Sequence, residues 1–132
     1  MTNDMNLPSF APELYIPHGT TNVDFYTRAF GAELLRTFMN DDGTYHVAEF
    51  SLQGQLFHLH ENSERNACFD PVALGGSTAL IGLFVDDVDA WMTKAVAAGA
   101  EEISPAQDYD YGYRQGVVKD PFGHKWMIEK RI

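Results

Sequence analysis

A chain of 132 residues that is 45% hydrophobic suffices for one compact domain, or for two small modules sharing a core, and excludes a second large domain. Nineteen acidic residues against nine basic ones give a formal charge of −10, which repels phosphate backbones and anionic lipid alike, so nucleic acid and membrane are set aside as partners. The single cysteine, Cys68, excludes an internal disulfide; with no basic or apolar leader pattern and no apolar run near the roughly 20 residues of a membrane span, the expectation is a cytoplasmic protein.

The first extended run is "ELYIPHG". It leads into a helix on which Val23, Tyr26, Thr27 and Phe30 recur at helical spacing, with Thr21 and Asp24 as capping residues and Gly31 of "FGAELLRTF" as the stop. The segment after Gly31 runs into a strand, and two more follow, "TYHVAEFSL" and "QLFHLHE", joined at Gln53 and Gly54, so residues 11–61 read β-α-β-β-β. A two-residue loop there pairs Leu52 with Gln55, Phe50 with Phe57 and Ala48 with Leu59, an apolar face suited to packing under the helix.

The opposite face then carries Val47, Glu49, Ser51, Leu56, His58 and His60, with Glu49 directly across from His58. A solvated face usually shows Lys, Thr and Glu, whereas two histidines and a carboxylate among Val and Leu suit the wall of a concave pocket. Glu49 and His58 are therefore the catalytic candidates and His60 a ligand-binding one; an ordinary cross-strand pair is the competing explanation.

Residues 62–78, "NSERNACFDPVALGGST", form a linker rich in turn formers, and Cys68 within it reads as a loop thiol without a neighbouring histidine. Residues 79–130 then repeat the first pattern: the run "ALIGLFV", a helix on Val88, Trp91, Ala95 and Ala98 capped by Asp86 and Asp89, a stop at Gly99 in "AGAEEISPA", and strands on either side of Asp120 to Gly123. Tyr109, Tyr111 and Tyr113 alternate with Asp110 and Gly112, so their rings share one side as an aromatic wall, or as a strip of core.

Pairing Val117 with Trp126 across a four-residue "DPFG" turn puts Val117, Trp126 and Ile128 on the helix face. Arg114, Gly116, Lys125, Met127 and Glu129 then share the other face, with Arg114 opposite Glu129, either as an anion-binding residue or as half of a cross-strand ion pair. His124 falls at the solvent end of its strand, in a turn-stabilising role.

Two β-α-β-β-β modules together with "FYTRAFGAELL", "VDDVDAWMTKAVAAGA" and the terminal "RQGVVKDPFGHKWMIE" resemble the vicinal oxygen chelate superfamily, the glyoxalase, bleomycin-resistance and extradiol-dioxygenase group. "FGAE" with "DPFGHKW" is similar to the branch labelled PhnB-like. The resemblance implies an α+β fold in which the modules form a cup-shaped mixed sheet, and a homodimer in which residues of both chains line each cavity.

It also implies a divalent metal held by His, Glu or Gln from the first and last strand of each module. Carried onto this chain, those positions are Glu13 or its neighbour, His58, Leu80 and Met127, and the last two cannot serve, so the expectation is a pocket without the usual metal. A divalent site built from Glu49, His58 and His60 stays open.

The function expected is binding of a small organic molecule in a concave pocket, with Arg114, His60, Tyr109, Tyr111, Tyr113 and Met127 as binding residues. The alternative is a lyase or isomerase acting on a small carbonyl compound, with Glu49 or His58 as general base and Arg114 or a tyrosine holding the oxyanion. An extradiol dioxygenase, which needs iron on two histidines and a carboxylate, is the least favoured.

Overall fold

Period-two alternation and two glycine-stopped helices sort the chain into repeated units, and the computed structural model, which describes residues 7–132, has that repeat. The order is β1 (Glu13–Ile16), α1 (Phe25–Phe30), β2 (Glu33–Met39), β3 (Tyr45–Leu52), β4 (Gln55–Glu61), α2 (Pro71–Leu74), β5 (Leu80–Phe84), α3 (Val88–Ala97), β6 (Glu101–Tyr109), β7 (Tyr113–Lys119) and β8 (Lys125–Arg131). The fold is α+β. Its strands form two four-stranded mixed sheets, ordered β1-β4-β3-β2 and β5-β8-β7-β6, each with one parallel pair at its β1 or β5 edge.

α1 stops where its chemistry requires. Gly31 takes φ +71°, and its N–H and that of Ala32 satisfy the carbonyls of Thr27 and Tyr26. The caps at the helix starts differ from expectation by position: Asp24 flanks α1 without a side-chain bond, and Asp87, not Asp86, accepts the Ala90 N–H at the head of α3.

Both helices lie between the sheets in a single shared core. Tyr26 of α1 packs against Phe50 and Phe57 of one sheet and Trp126 of the other, Phe30 stacks on Trp91 of α3, and Phe57 meets Trp126 directly at 5.7 Å. The helix faces of the two sheets therefore look inward at each other, and their opposite faces turn outward. One chain does not close a cup around those outer faces.

The β3–β4 register is the one the two-residue loop predicts, with Glu49 across from His58 and Phe50 across from Phe57. The β7–β8 register is not. Val118, rather than Val117, pairs with Trp126, and Gln115, rather than Arg114, pairs with Glu129. The cause is the turn: Gly123 at φ +95° adds a bulge residue, so Asp120 pairs with His124 around a three-residue loop, and a slip of one residue sends every β7 side chain to the other face.

That turn fastens the modules together. The Asp120 carboxylate accepts from the N–H groups of Phe122 and His124, from Trp126 Nε1 and from the Tyr26 hydroxyl on α1. Burial, reinforced by Asp120, drives the Tyr26 hydroxyl well above its ordinary pKa, so Tyr26 is a fixed donor. His124 is buried, not at the solvent end of the strand as its position suggested, and its Nε2 donates to the Tyr15 carbonyl of β1 at 2.7 Å. No helix among the described residues is long and apolar enough to cross a membrane.

Candidate functional site

On the outer face of the first sheet, β4 is flanked by β1 and β3. Parallel pairing sets Glu13 beside His58 and Tyr15 beside His60, while antiparallel pairing sets Glu49 on the other side of His58 and Val47 on the other side of His60. Both histidines turn toward β1: His60 Nε2 and His58 Nδ1 reach the same carboxylate oxygen, Glu13 Oε1, at 2.6 and 3.2 Å.

Those three residues are the one group of His, Cys, Asp and Glu among the described residues whose ligand atoms all converge, lying within 4.8 Å of one another. The histidines are partly covered, with 25% and 31% of their side chains exposed, which leaves the cluster accessible from one side. The Tyr15 ring lies 5.7 Å from that of His60. Cys68, from the linker, and then burial raise the pKa of the Tyr15 hydroxyl, so the linker borders this face.

Glu49 shares the face but not the cluster. Its carboxylate bonds Arg36 of β2 at 3.2 and 3.4 Å, leaving His58 to Glu13. The sequence left the first-strand position open by one residue, and the β1–β4 register resolves it as Glu13.

The outer face of the second sheet is built differently. Tyr109 and Tyr113 pair across β6 and β7, and Tyr111 in the turn stacks between them, with centroids 5.3 and 5.8 Å apart. The Tyr111 hydroxyl donates to Gln115, Gln115 donates to Glu129 at 2.9 Å, and Arg131 donates to the Tyr113 hydroxyl. Desolvation, then the neighbouring Tyr109, Glu129 and Asp110, lifts the Tyr111 pKa above its usual value.

Glu129 is only 7% exposed, and a side chain at Gly82 would come within 2.8 Å of its Oε2. Gln115 and Gly82 are contributors the sequence reading missed; the turn register that exposes Gln115 hinges on one bulge residue. Met127 pairs with Gly82, so the position matching Glu13 in the second module is Gly82 rather than Leu80.

Arg114 lies apart from both outer faces. The register slip turns it toward α3, where its guanidinium donates to Asp89 at 2.8 and 3.0 Å and to Asp108 at 2.9 Å. These bonds hold the arginine above its ordinary range and Asp89 below the usual carboxylate range.

The residues do not fit a four-ligand metal spanning both modules, because the second module offers Gly82 and Met127 where oxygen or nitrogen donors are needed. Glu13, His58 and His60 do supply such donors. A groove of about 660 Å³ runs between the β3–β4 turn and β5, along Gln53, Gln55, Phe84 and Trp91, and touches neither histidine.

Comparison with known proteins agrees with this architecture. The sequence model of the Glyoxalase/Bleomycin resistance protein/Dioxygenase superfamily matches residues 9–128. An uncharacterised protein of Mycobacterium bovis is 34% identical over 128 residues, covering 95% of this chain and 84% of that one. Among solved structures, TioX from Micromonospora sp. ML1 is 28% identical with a TM-score of 0.65, covering 95% of this chain and 97% of that one. A gene product of Arabidopsis thaliana is 26% identical with a TM-score of 0.70, covering 92% of this chain and 98% of the other.

Proposed function

Since this chain belongs to the Glyoxalase/Bleomycin resistance protein/Dioxygenase superfamily, we propose that it binds a small organic molecule between the outer faces of two chains, without the metal set that spans both modules. One observation carries this reading. Both outer faces mix large, half-exposed apolar side chains with converging polar groups: Phe38 and Leu56 accompany Glu13, His58 and His60 on one sheet, and Leu80 and Phe84 accompany Glu129 and the tyrosines on the other. Apolar surface of this kind is the usual signature of a binding or association face.

In a homodimer, the first-module face of one chain and the second-module face of its partner form the two walls of a pocket. His58, His60 and Glu13 supply one wall, and Tyr109, Tyr111, Tyr113, Met127 and Glu129 the other. "FGAE" and "DPFGHKW" support placement in the PhnB-like branch.

A lyase or isomerase acting on a small carbonyl compound is the second reading. It is supported by the imidazole–carboxylate pairing of His58 with Glu13, which orients the ring for proton transfer, and by the Tyr111–Gln115–Glu129 chain that would face it. Arg114 takes no part, because its donors are engaged by Asp89 and Asp108.

A thermal-shift panel of aromatic and carbonyl compounds, followed by calorimetry on the hits, tests the proposal. Saturable binding that weakens at least about tenfold in Tyr113→Ala and in Glu129→Gln is expected, about 1.4 kcal/mol or more. Hits whose affinity is unchanged in both variants, or a panel with no hit, would overturn it. A hit that is consumed rather than merely bound would favour the enzyme reading.

A further inference from the structure

We propose that the molecule taken by the second-sheet wall is an organic cation, a small aromatic or alkyl ammonium whose protonated nitrogen is held by Glu129. The inference rests on the reading of the outer faces as a binding pocket and names the class of molecule that pocket selects.

Three carboxylates are buried among the described residues, Asp70, Asp120 and Glu129, and they are satisfied unequally. Asp70 accepts the Asn62 amide on one oxygen and the Ala73 N–H on the other. Asp120 accepts two backbone N–H groups on one oxygen, and the Tyr26 hydroxyl and Trp126 indole on the other. Glu129 accepts only from Gln115 Nε2, on Oε1. Its Oε2 has no donor among the described residues, yet no fully enclosed side-chain oxygen there lacks one, so Oε2 is reached from outside.

A carboxylate stripped of most of its water and given one neutral hydrogen bond lacks the partner that usually offsets burial. The chain's own cations do not supply it. Arg131, two residues along β8 on the same face, donates to the Tyr113 hydroxyl and lies over the Phe84 ring at 5.7 Å. Arg114 is engaged by Asp89 and Asp108 beside α3.

Gly82 keeps the free oxygen open. Its φ lies outside the left-handed region, so the backbone does not demand a glycine there. Apart from its chain neighbours, an added side-chain carbon would meet one atom within reach, Glu129 Oε2 at 2.8 Å. The missing side chain therefore serves the acid. Gly82 and Phe84 also border the groove of about 660 Å³, which gives an anchored ligand room to extend past the edge of β5.

The surroundings suit a cation better than a neutral donor. Gln115 donates to Glu129 and accepts from the Tyr111 hydroxyl, so one amide joins the acid to the tyrosine stack and orients the carboxylate without neutralising it. Tyr113, next in that stack, meets Phe84 edge-on at 6.3 Å. Aromatic faces attract an ammonium that has given up part of its hydration. The net charge of −10 adds a long-range field of the same preference.

The test compares phenethylamine, phenethyl alcohol and hydrocinnamate, which share a ring and a similar length and differ in charge, by calorimetry on the wild-type protein at neutral pH. The amine is expected to bind at least about tenfold more tightly than the alcohol, and the anion most weakly, a comparison that needs no variant to fold. In Glu129→Gln, which keeps the side chain's shape, and in Gly82→Ala, which drives a carbon onto Oε2, the preference for the amine should disappear. A preference that survives Glu129→Gln, or binding of the alcohol or the anion as tight as that of the amine, would overturn the proposal and leave the small-molecule reading standing. No binding by any of the three would overturn it as well, and the wider compound panel then decides the small-molecule reading separately.

Discussion

The two sheets agree on the faces they bury and differ on the faces they expose. Phe57 and Leu59 of β4 correspond to Trp126 and Ile128 of β8, all buried in one core, whereas Glu13, His58 and His60 correspond to Gly82, Met127 and Glu129. The buried positions answer to packing against shared helices, where a change of even one methylene is felt. The outer positions pack under no helix of the chain, so the repeat is free to carry imidazoles on one wall and an aromatic, acid-bearing surface on the other.

The comparison breaks most severely at the shared core. Asp120→Ala leaves the N–H groups of Phe122 and His124, the indole of Trp126 and the Tyr26 hydroxyl without their acceptor, and should cost about 3–5 kcal/mol in urea denaturation. Because that acid ties α1 to the second sheet, both modules should lose stability in one transition. Next in size is Gly116→Ala, whose added carbon would lie 2.7 Å from Met92 Cε and 3.1 Å from the Ala106 nitrogen; about 1–3 kcal/mol of overpacking is expected by the same measurement.

Substitutions on the outer faces should show the reverse balance. His58→Ala and His60→Ala remove partly exposed side chains and should change unfolding free energy by less than about 1 kcal/mol while weakening small-molecule binding in a calorimetric titration. A stability loss as large as that of Asp120→Ala would mean that this face is part of the core after all.

The smallest expected effect concerns pH. Hydrogen bonds donated to Glu61 and then Glu64 raise the His18 pKa, so this contact contributes fully below the unfolded histidine value, about 6.5, and is lost as pH rises through the raised folded value. Burial pushes Glu61 upward, but His18, His46 and Asn40 together hold it below the usual range, so its contribution is present above the unfolded carboxylate value and fades as pH falls through the lowered folded one. A His18→Gln variant should therefore differ from wild type in melting temperature at pH 6 and converge with it at alkaline pH.

The repeat was legible because it is written in local signals. Gly31 and Gly99 mark equivalent helix ends, and the Gln53–Gly54 loop fixes the β3–β4 register without help from the rest of the fold. Arg114 was misplaced because "DPFG" is compatible with a four-residue turn and with a bulged three-residue loop; the choice between them rests on the contacts of Asp120 with Tyr26 and Trp126, groups brought together by tertiary packing. His124 was misread for the same reason, since its partner is a backbone carbonyl of the other module. The Glu13–His58–His60 cluster was half legible. His58 and His60 declared themselves by alternation, but the placement of Glu13 depends on a parallel pairing across distant sequence, which no local pattern encodes.

The central claim is that the outer faces of two chains meet, and the most direct measurement is the solution mass of the wild type and of Phe84→Glu by light scattering at micromolar concentration. The account predicts twice the 14.8 kDa chain for the wild type and a single chain for the variant, whose new charge sits on the second-sheet face. A wild type that runs as a monomer, or a variant that remains dimeric, would contradict it.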